Sequence, residues 1–391
     1  MRTKIDLESL PIADNHCFAF APTAGVLGKE QFMRLFALGG PVVFGSKAVI
    51  SREEMSEQVH SSLAFRYAVK LLSDFLETEK KIDSVAEARN KRSKDFPGYL
   101  KELFGDVGLK TLVIDSGFQP VTLDEFVSYA PVEVGRIFRL EPFVKQLLET
   151  EPDFEGLIRK FDETLVSEIS EGCIGFKTVI AYRTGLDINR AAENVARVDF
   201  EHMRNGEEPK AWFGPVVKNL RDHLINRTID ICIKHNRVLQ IHTGLGDTDI
   251  VGSKCNPILL QDFLKEEEVQ NAKVVLIHGG WPYIIEASWL ANVLPNVYLE
   301  LSTPLPPYFA PAVSVRRYTE TIQQTPSRKI VYGSDAGELP EIHWLSAKVA
   351  KSTLQATLEQ LVGQEMLDED DAFEMAEQIL YGNVKRLYPF D

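Results

Sequence analysis

Eight short apolar runs rich in β-branched residues recur along the chain, each bounded by Gly, Pro or polar residues. They are PIADNH (11–16), LKTLVID (109–115), VGRIFRLE (134–141), GFKTVIAYR (175–183), RVLQIHTG (237–244), AKVVLIHGG (272–280), NVYLELS (296–302) and KIVYGSDA (329–336). Between them lie segments with apolar residues at three- and four-residue spacing, as in 219–236, 257–270 and 282–295. That spacing gives a helix one buried face. Strands alternating with helices imply right-handed βαβ units and a parallel sheet, so the pattern predicts an α/β fold, a (β/α)8 TIM barrel. The segment DEDDAFEMAEQILYGNVKRLY (368–388) opens acidic and closes on Lys385 and Arg386, which matches both poles of the helix dipole and predicts a terminal helix closing the ring.

The interval from about 17 to 108 exceeds any ordinary connection. It predicts a helical cap inserted after strand 1, with 51–77 as its clearest helical stretch, overhanging the C-terminal mouth of the barrel where water exclusion and substrate selection take place. At 391 residues the chain fits one elaborated barrel domain, 1–391, because barrels of ~250 residues absorb long insertions. No repeat at solenoid spacing is visible.

Composition narrows the choice of partner. A formal charge of −14 repels phosphate backbones and anionic lipid, so neither nucleic acid nor a membrane surface is expected, and a small-molecule substrate is. No apolar run has the length of a signal peptide or a membrane span, and the expected location is cytoplasmic. The cysteines, Cys17, Cys173, Cys232 and Cys255, are far apart and form no CxxC pair, which predicts buried reduced thiols. A homo-oligomer is compatible with a barrel, but no segment marks an interface.

The polar residues that end the apolar runs carry the candidate chemistry. His16, Asp115, Arg139 with Glu141, Arg183, His242, His278, Glu300 with Ser302, and Asp335 all stand at or near C-terminal strand ends, the catalytic rim of such a barrel. One histidine ending an apolar strand is more often a hydrogen-bonded structural residue than a ligand. Four groups converging from strands 1, 5, 6 and 8 point instead to one divalent metal ion. Imidazoles with a carboxylate suit Zn(II) first, with Mn(II) or Fe(II) as alternatives, and such an ion activates water and polarises a carbonyl.

These motifs, DNH, GFKTVIAYRTGL, HTGLGD, IHGGWPYIIEASWLANVLPNVYLELS and VYGSDA, resemble the amidohydrolase superfamily and, within it, the amidohydrolase-2 branch. The likeness is closest to the barrel domain that some fungal and plant proteins fuse ahead of a glutamine-synthetase-like domain. It implies His16 and His242 as metal ligands, Asp335 as a ligand that also moves the proton of the attacking water, and His278 as a residue that orients or polarises substrate, as in one-metal members, or binds the second ion, as in two-metal members. It further implies hydrolysis of an amide or related C–N bond, a γ-glutamyl-type amide being one candidate. Decarboxylase or lyase chemistry of the same branch is the alternative.

The sequence departs from the family at strand 1, where His-x-His is usual and His16-Cys17-Phe18 stands here. Phe18 cannot bind a metal, and strand alternation turns Cys17 away from His16. Lys177 is one replacement, since some members carry a carboxylated strand 4 lysine that bridges metals; its place six residues before Arg183 speaks for a salt-bridged lysine instead. The lost imidazole also raises a third reading, a metal-free barrel serving as a binding or partner subunit. Arg139 and Arg183 suit a substrate carboxylate, or equally structural ion pairs with Asp115, Glu141 or Glu300. Trp281 lines the pocket or packs beside it, and His343, eight residues past Asp335, is a further candidate for the mouth.

Overall fold

The computed structural model describes residues 5–23, 25–34, 51–117, 119–204, 217–247, 249–302 and 311–390. Its centre is one parallel sheet of eight strands in sequence order. The strands are β1 (Ile12–Cys17), β2 (Leu109–Asp115), β3 (Glu133–Arg139), β4 (Cys173–Thr178), β5 (Val238–His242), β6 (Lys273–Ile277), β7 (Val297–Glu300) and β8 (Ile330–Val331). β1, β4 and β5 are buried at every position, which is why they read as continuous apolar runs rather than alternating ones. The predicted barrel is the observed one.

Closure between β8 and β1 differs from the other joins. β8 has only two residues, and the seam is made by separate backbone bonds: Asn15 N donates to Tyr332 O (2.9 Å), Asp335 N to His16 O (2.8 Å) and Phe18 N to Ala336 O (2.7 Å). The chain after β8 therefore runs along β1 as a loop, and this loop delivers Asp335 beside His16. Below the mouth the barrel interior is filled from the C-terminal segment. Val384, Leu387 and Tyr388 pack among Ala13, Val113 and Ile137, and the Tyr388 hydroxyl donates to Asn15 Oδ1 (2.8 Å) and accepts from Gln240 Nε2 (2.9 Å).

Among the described residues, the interval between β1 and β2 holds helices Lys29–Arg34, Arg52–Ser61, Leu63–Phe75, Ile82–Arg92 and Phe96–Val107. Residues 51–77 form two helices rather than one, because Ser62 leaves helical geometry and its hydroxyl caps the next turn at Phe65 N. The inserted helices share an apolar core with the long helix Pro340–Gly363 through Phe65, Leu72, Leu103, Trp344 and Leu345. A buried ion pair pins them there: Arg89 Nε donates to Glu341 Oε1 at 2.6 Å, with both side chains 1% exposed. Removing either partner of such a pair costs ~3–5 kcal/mol.

Two strand and helix boundaries differ from the sequence reading. Residues 257–270 form a 3-10 turn (Pro257–Leu260), one α-turn (Gln261–Leu264) and a second 3-10 turn (Val269–Asn271) instead of a helix. The run 175–183 is strand only to Thr178. There the buried Glu141 carboxylate accepts from Thr178 Oγ1 (2.6 Å) and Val179 N (2.8 Å), turning the apolar residues Ile180–Tyr182 into a 3-10 helix. All the cysteines are buried and free. No helix among the described residues is long and apolar enough to cross a membrane.

Candidate metal centre at the barrel mouth

The end of β4 at Thr178 corrects the reading of Lys177. It is the penultimate strand residue and sits at the rim, level with Arg139 of β3 and Gln240 of β5, while Arg183 lies on the turn beyond. Lys177 is fully buried. Its Nζ is 3.3 Å from His16 Nε2, and the same ring nitrogen is 3.0 Å from Asp335 Oδ1. Burial lowers the Lys177 ammonium to about 8, against the nearby Asp115 carboxylate, which favours the charged form.

His16, His278 and Asp335 offer one ligand atom each within 4.8 Å of one another. His242 stands against this group: its Nδ1 is 3.1 Å from His278 Nε2, and its ring lies 4.6 Å from that of Tyr182, centroid to centroid. The resemblance assigns His16, His242 and Asp335 as ligands and His278 to substrate; the geometry gathers His278 with His16 and Asp335 and makes His242 its neighbour. Burial holds all three imidazoles well below their usual range, with Lys177 next in effect for His16 and the neighbouring His242 for His278. They are therefore neutral, the form that binds metal. Burial also raises Asp335 to about 7, with Lys177 and Arg139 opposing.

The backbone is bent to present these groups. His278 has φ 69° and Asp335 φ 55°, a left-handed region that side chains other than Asn and Asp rarely adopt and that clusters at functional sites. Each motif glycine near them makes room. A Cβ at Gly333 would fall 2.2 Å from Glu300 Oε1, and one at Gly246 would fall 1.7 Å from the Tyr182 hydroxyl. Gly333 thus lets Glu300 pass beneath the β8 loop, and Gly246 lets the loop after β5 close over Tyr182 and His242.

Glu300 and Ser302 orient His278. The buried Glu300 carboxylate accepts from Ser302 Oγ (2.7 Å) and His278 N (3.0 Å), and also from Ser302 N. Ser302 Oγ lies 2.7 Å from His278 Nδ1. Burial raises Glu300 to about 7 against these hydrogen bonds; when it is ionised the serine proton goes to the carboxylate, His278 Nδ1 donates to Ser302, and the Nε2 lone pair is left toward the mouth. Arg317 closes this side, its Nη2 donating to Ser302 O (2.7 Å) and His278 O (3.3 Å).

Sequence reasoning missed Asp14 and Ser334. Asp14 Oδ1 accepts from His16 N (3.1 Å) and Ser334 N (2.9 Å), and Oδ2 from Ser334 Oγ (2.5 Å), so one buried carboxylate sets both His16 and the turn that carries Asp335. The DNH motif contains the acid, but its partner is 320 residues away.

The remaining rim residues have local partners. Arg139 is committed to Asp115, with Nε 3.0 Å from both carboxylate oxygens and Nη2 on Oδ2. Burial pushes Asp115 up but the guanidinium outweighs it, and the net shift is downward. Arg139 also lies over the Phe18 ring at 5.9 Å, and Phe18 meets the His16 ring edge-on at 5.4 Å, which puts the aromatic beside the cluster. Arg183 is 3.8 Å from Asp249 through Nη1. The Trp281 carbonyl accepts from Leu245 N at 2.7 Å, joining the loops after β5 and β6. His343 does not reach the mouth; it packs against Phe20 and Phe104 on the outer side of β1.

The donors fit a divalent ion. Ligand atoms on one tetrahedral ion at 2.0–2.2 Å lie roughly 3.3–3.6 Å apart, so the His16, His278 and Asp335 atoms, all within 4.8 Å of one another, reach one ion with a small inward adjustment. His242 Nε2 and His16 Nδ1 are buried with no hydrogen-bond partner among the described residues. An ammonium on Lys177 opposes a cation here, so the neutral amine that burial favours is the form compatible with it.

The comparisons with known proteins bear on the fold and the family likeness. The family model described as amidohydrolase matches residues 205–390. The protein fluG of Emericella nidulans is 29% identical over 359 residues, covering 84% of this chain, which spans 41% of the length of that relative. The crystal structure of a candidate metal-dependent hydrolase from Lactobacillus casei superimposes with a TM-score of 0.83 at 25% identity, over 98% of both chains. A uronate isomerase from Thermotoga maritima shares the fold with a TM-score of 0.68 at 16% identity, over 97% of this chain and 95% of its own. The rim motifs, the barrel and these relatives together support a likeness to the amidohydrolase-2 branch, carried by the family match over residues 205–390.

Proposed function

We propose that the chain is a hydrolase of amide or related C–N bonds in a small carboxylate-bearing molecule, with γ-glutamyl-type amides as the first substrates to try. The observation that carries this reading is the meeting of the buried His16 and His278 with the partly exposed Asp335 at the C-terminal mouth. A divalent ion, Zn(II) first, would be held by His16, Asp335 and the facing nitrogens of the His242–His278 pair; when bound it supplies an activated water and a polarised carbonyl. Lys177, carboxylated or as the neutral amine, borders the same ion.

The protein's own groups do the rest. Asp335, raised to about 7 by burial, takes a proton from water at its free oxygen and returns it to the leaving nitrogen, which needs an acid and base matched to neutral pH. His278, locked through Ser302 and Glu300, would present its Nε2 lone pair to the ion. Arg183, on the turn after β4, binds the substrate carboxylate. The loop after β5, lying on Tyr182, keeps bulk water from His242.

Protein purified without chelator should carry near-stoichiometric zinc, manganese or iron and release ammonia or amine from γ-glutamyl amides. Both properties should fall in His242→Ala and Asp335→Asn. Carbon dioxide or a non-hydrolytic product would move the reaction to the decarboxylase or lyase class. Phe18 favours the third reading, a binding barrel, and folded protein that takes up no metal would establish it.

A further inference from the structure

On the outer side of β1, opposite the mouth, lies a second group of potential ligands that the reaction does not use. Asp14, Cys17 and His343 are all buried, and one ligand atom of each lies within 4.8 Å of the others. Asp14 and Cys17 belong to β1, while His343 comes from the helix Pro340–Gly363 that follows β8. We infer that these residues form a structural metal site of the zinc class, joining β1 to that helix across the seam of the barrel. This stands apart from the reading of the mouth, whose donor set contains no sulfur.

His343 carries the argument. Its side chain is fully inaccessible, among aromatic rings, and neither ring nitrogen completes a hydrogen bond among the described residues, although the Phe18 backbone lies near enough to favour its charged form. An imidazole buried this way recovers little of the desolvation of its nitrogens. Its Nδ1 is 3.9 Å from Asp14 Oδ2, too long for a hydrogen bond and a few tenths of an ångström wider than the roughly 3.3–3.6 Å between two ligands of one tetrahedral zinc, so a small closure seats both on one ion. Asp14 Oδ2 already accepts the Ser334 hydroxyl, and a carboxylate oxygen keeps a second lone pair for a metal. The Cys17 thiol meets the Val113 carbonyl weakly, at 3.6 Å, and its side-chain partner is the Asp14 carboxylate of the same group.

Charge and softness select the ion. One thiolate and one carboxylate neutralise a divalent cation, and the neutral imidazole adds no charge, so the completed centre is uncharged where burial requires it. Sulfur with nitrogen favours zinc or cobalt over magnesium or calcium. The place also suits a clamp. β8 is two residues long and its join to β1 rests on separate backbone bonds, so a cross-link here holds together the weakest closure of the ring and, through Asp14, the backbone of His16.

Cobalt substitution distinguishes the two centres. Wild-type protein loaded with Co(II) should show a thiolate-to-cobalt charge-transfer absorption, which persists in His278→Ala and disappears in Cys17→Ser. Metal analysis of His278→Ala should still find one ion per chain after the mouth has been emptied. Bound cobalt without the sulfur absorption, an absorption that survives Cys17→Ser, or no retained metal would overturn the proposal. Should Cys17→Ser fail to fold, zinc X-ray absorption on the His278→Ala protein decides: one sulfur neighbour supports the site, and a shell of nitrogen and oxygen alone rejects it.

Discussion

On the β6–β7 side of the mouth, His278 is fixed by Ser302 through one ring nitrogen, by Glu300 through its backbone and by Arg317 through its carbonyl. On the β1–β4 side, His16 faces the amine of Lys177 and the carboxylate of Asp335, with its other ring nitrogen unbonded among the described residues and the Phe18 ring alongside. The first side is preorganised by hydrogen bonds among a serine, one carboxylate and the Arg317 guanidinium. The second is governed by the balance of buried charge among Lys177, Asp335, Asp115 and Arg139. A site built this way keeps one histidine rigid while the protonation of its neighbours decides whether a cation is welcome.

Perturbing the charged side should have the largest effect. Asp335→Asn should lower turnover of any amide substrate by ~10²–10⁴-fold, the usual worth of a positioned acid-base group, with an unchanged circular dichroism spectrum; retained turnover would exclude Asp335 from the chemistry. Next in size, Arg139→Met strands the buried Asp115 carboxylate and should destabilise the fold by ~3–5 kcal/mol in denaturant titration. Restoring much of that loss in the Asp115→Asn, Arg139→Met double variant would confirm the pair as its source.

The preorganised side should respond more gently. Glu300→Gln gives up the carboxylate that orders Ser302 and should weaken metal binding by ~10–100-fold, as loss of an outer hydrogen-bond partner does. Ser302→Ala should move affinity in the same direction. An unaltered affinity in both would mean that His278 needs no support.

Lys177 gives a pH signature for the charged side alone. Its folded value, about 8, lies below the ordinary 10.5, so between these limits the unfolded chain binds more protons than the folded one. Stability should therefore rise with pH across this window by ~1.4 kcal/mol per unit from this residue, and below pH 8 that contribution is absent. Chelated wild-type protein compared with Lys177→Met from pH 8 to 10.5 isolates it; parallel curves would refute it. The smallest effect is a gain: Phe18→His should tighten metal binding by less than about tenfold, because Arg139 beside that ring opposes a cation. No change would show that position 18 points elsewhere.

The ring of strands was legible because parallel strands covered on both faces must be apolar along their length, as β4 and β5 are. The same rule misled at Ile180–Tyr182, where apolar residues continue past the strand and only Glu141, a contact across space, turns them into a 3-10 helix. His16, His278 and Asp335 were visible as polar ends of apolar runs. Asp14 was not, since it sits inside a run and its partner Ser334 lies at the other end of the chain. Nor could periodicity place His242 against His278, a ring contact of 4.5 Å between the end of β5 and the turn after β6.

The left-handed backbone at Asp335, with φ 55°, also constrains how this protein can change over generations. Asparagine tolerates that conformation nearly as well as aspartate, whereas a branched or bulky replacement strains the chain. Selection against misfolding therefore removes most substitutions at this position but passes Asn, which a single transition in an aspartate codon produces. A gene copy released from its catalytic duty would follow that route, keeping a folded barrel and a shaped mouth after the acid has gone, and so remain available for recruitment as a receptor.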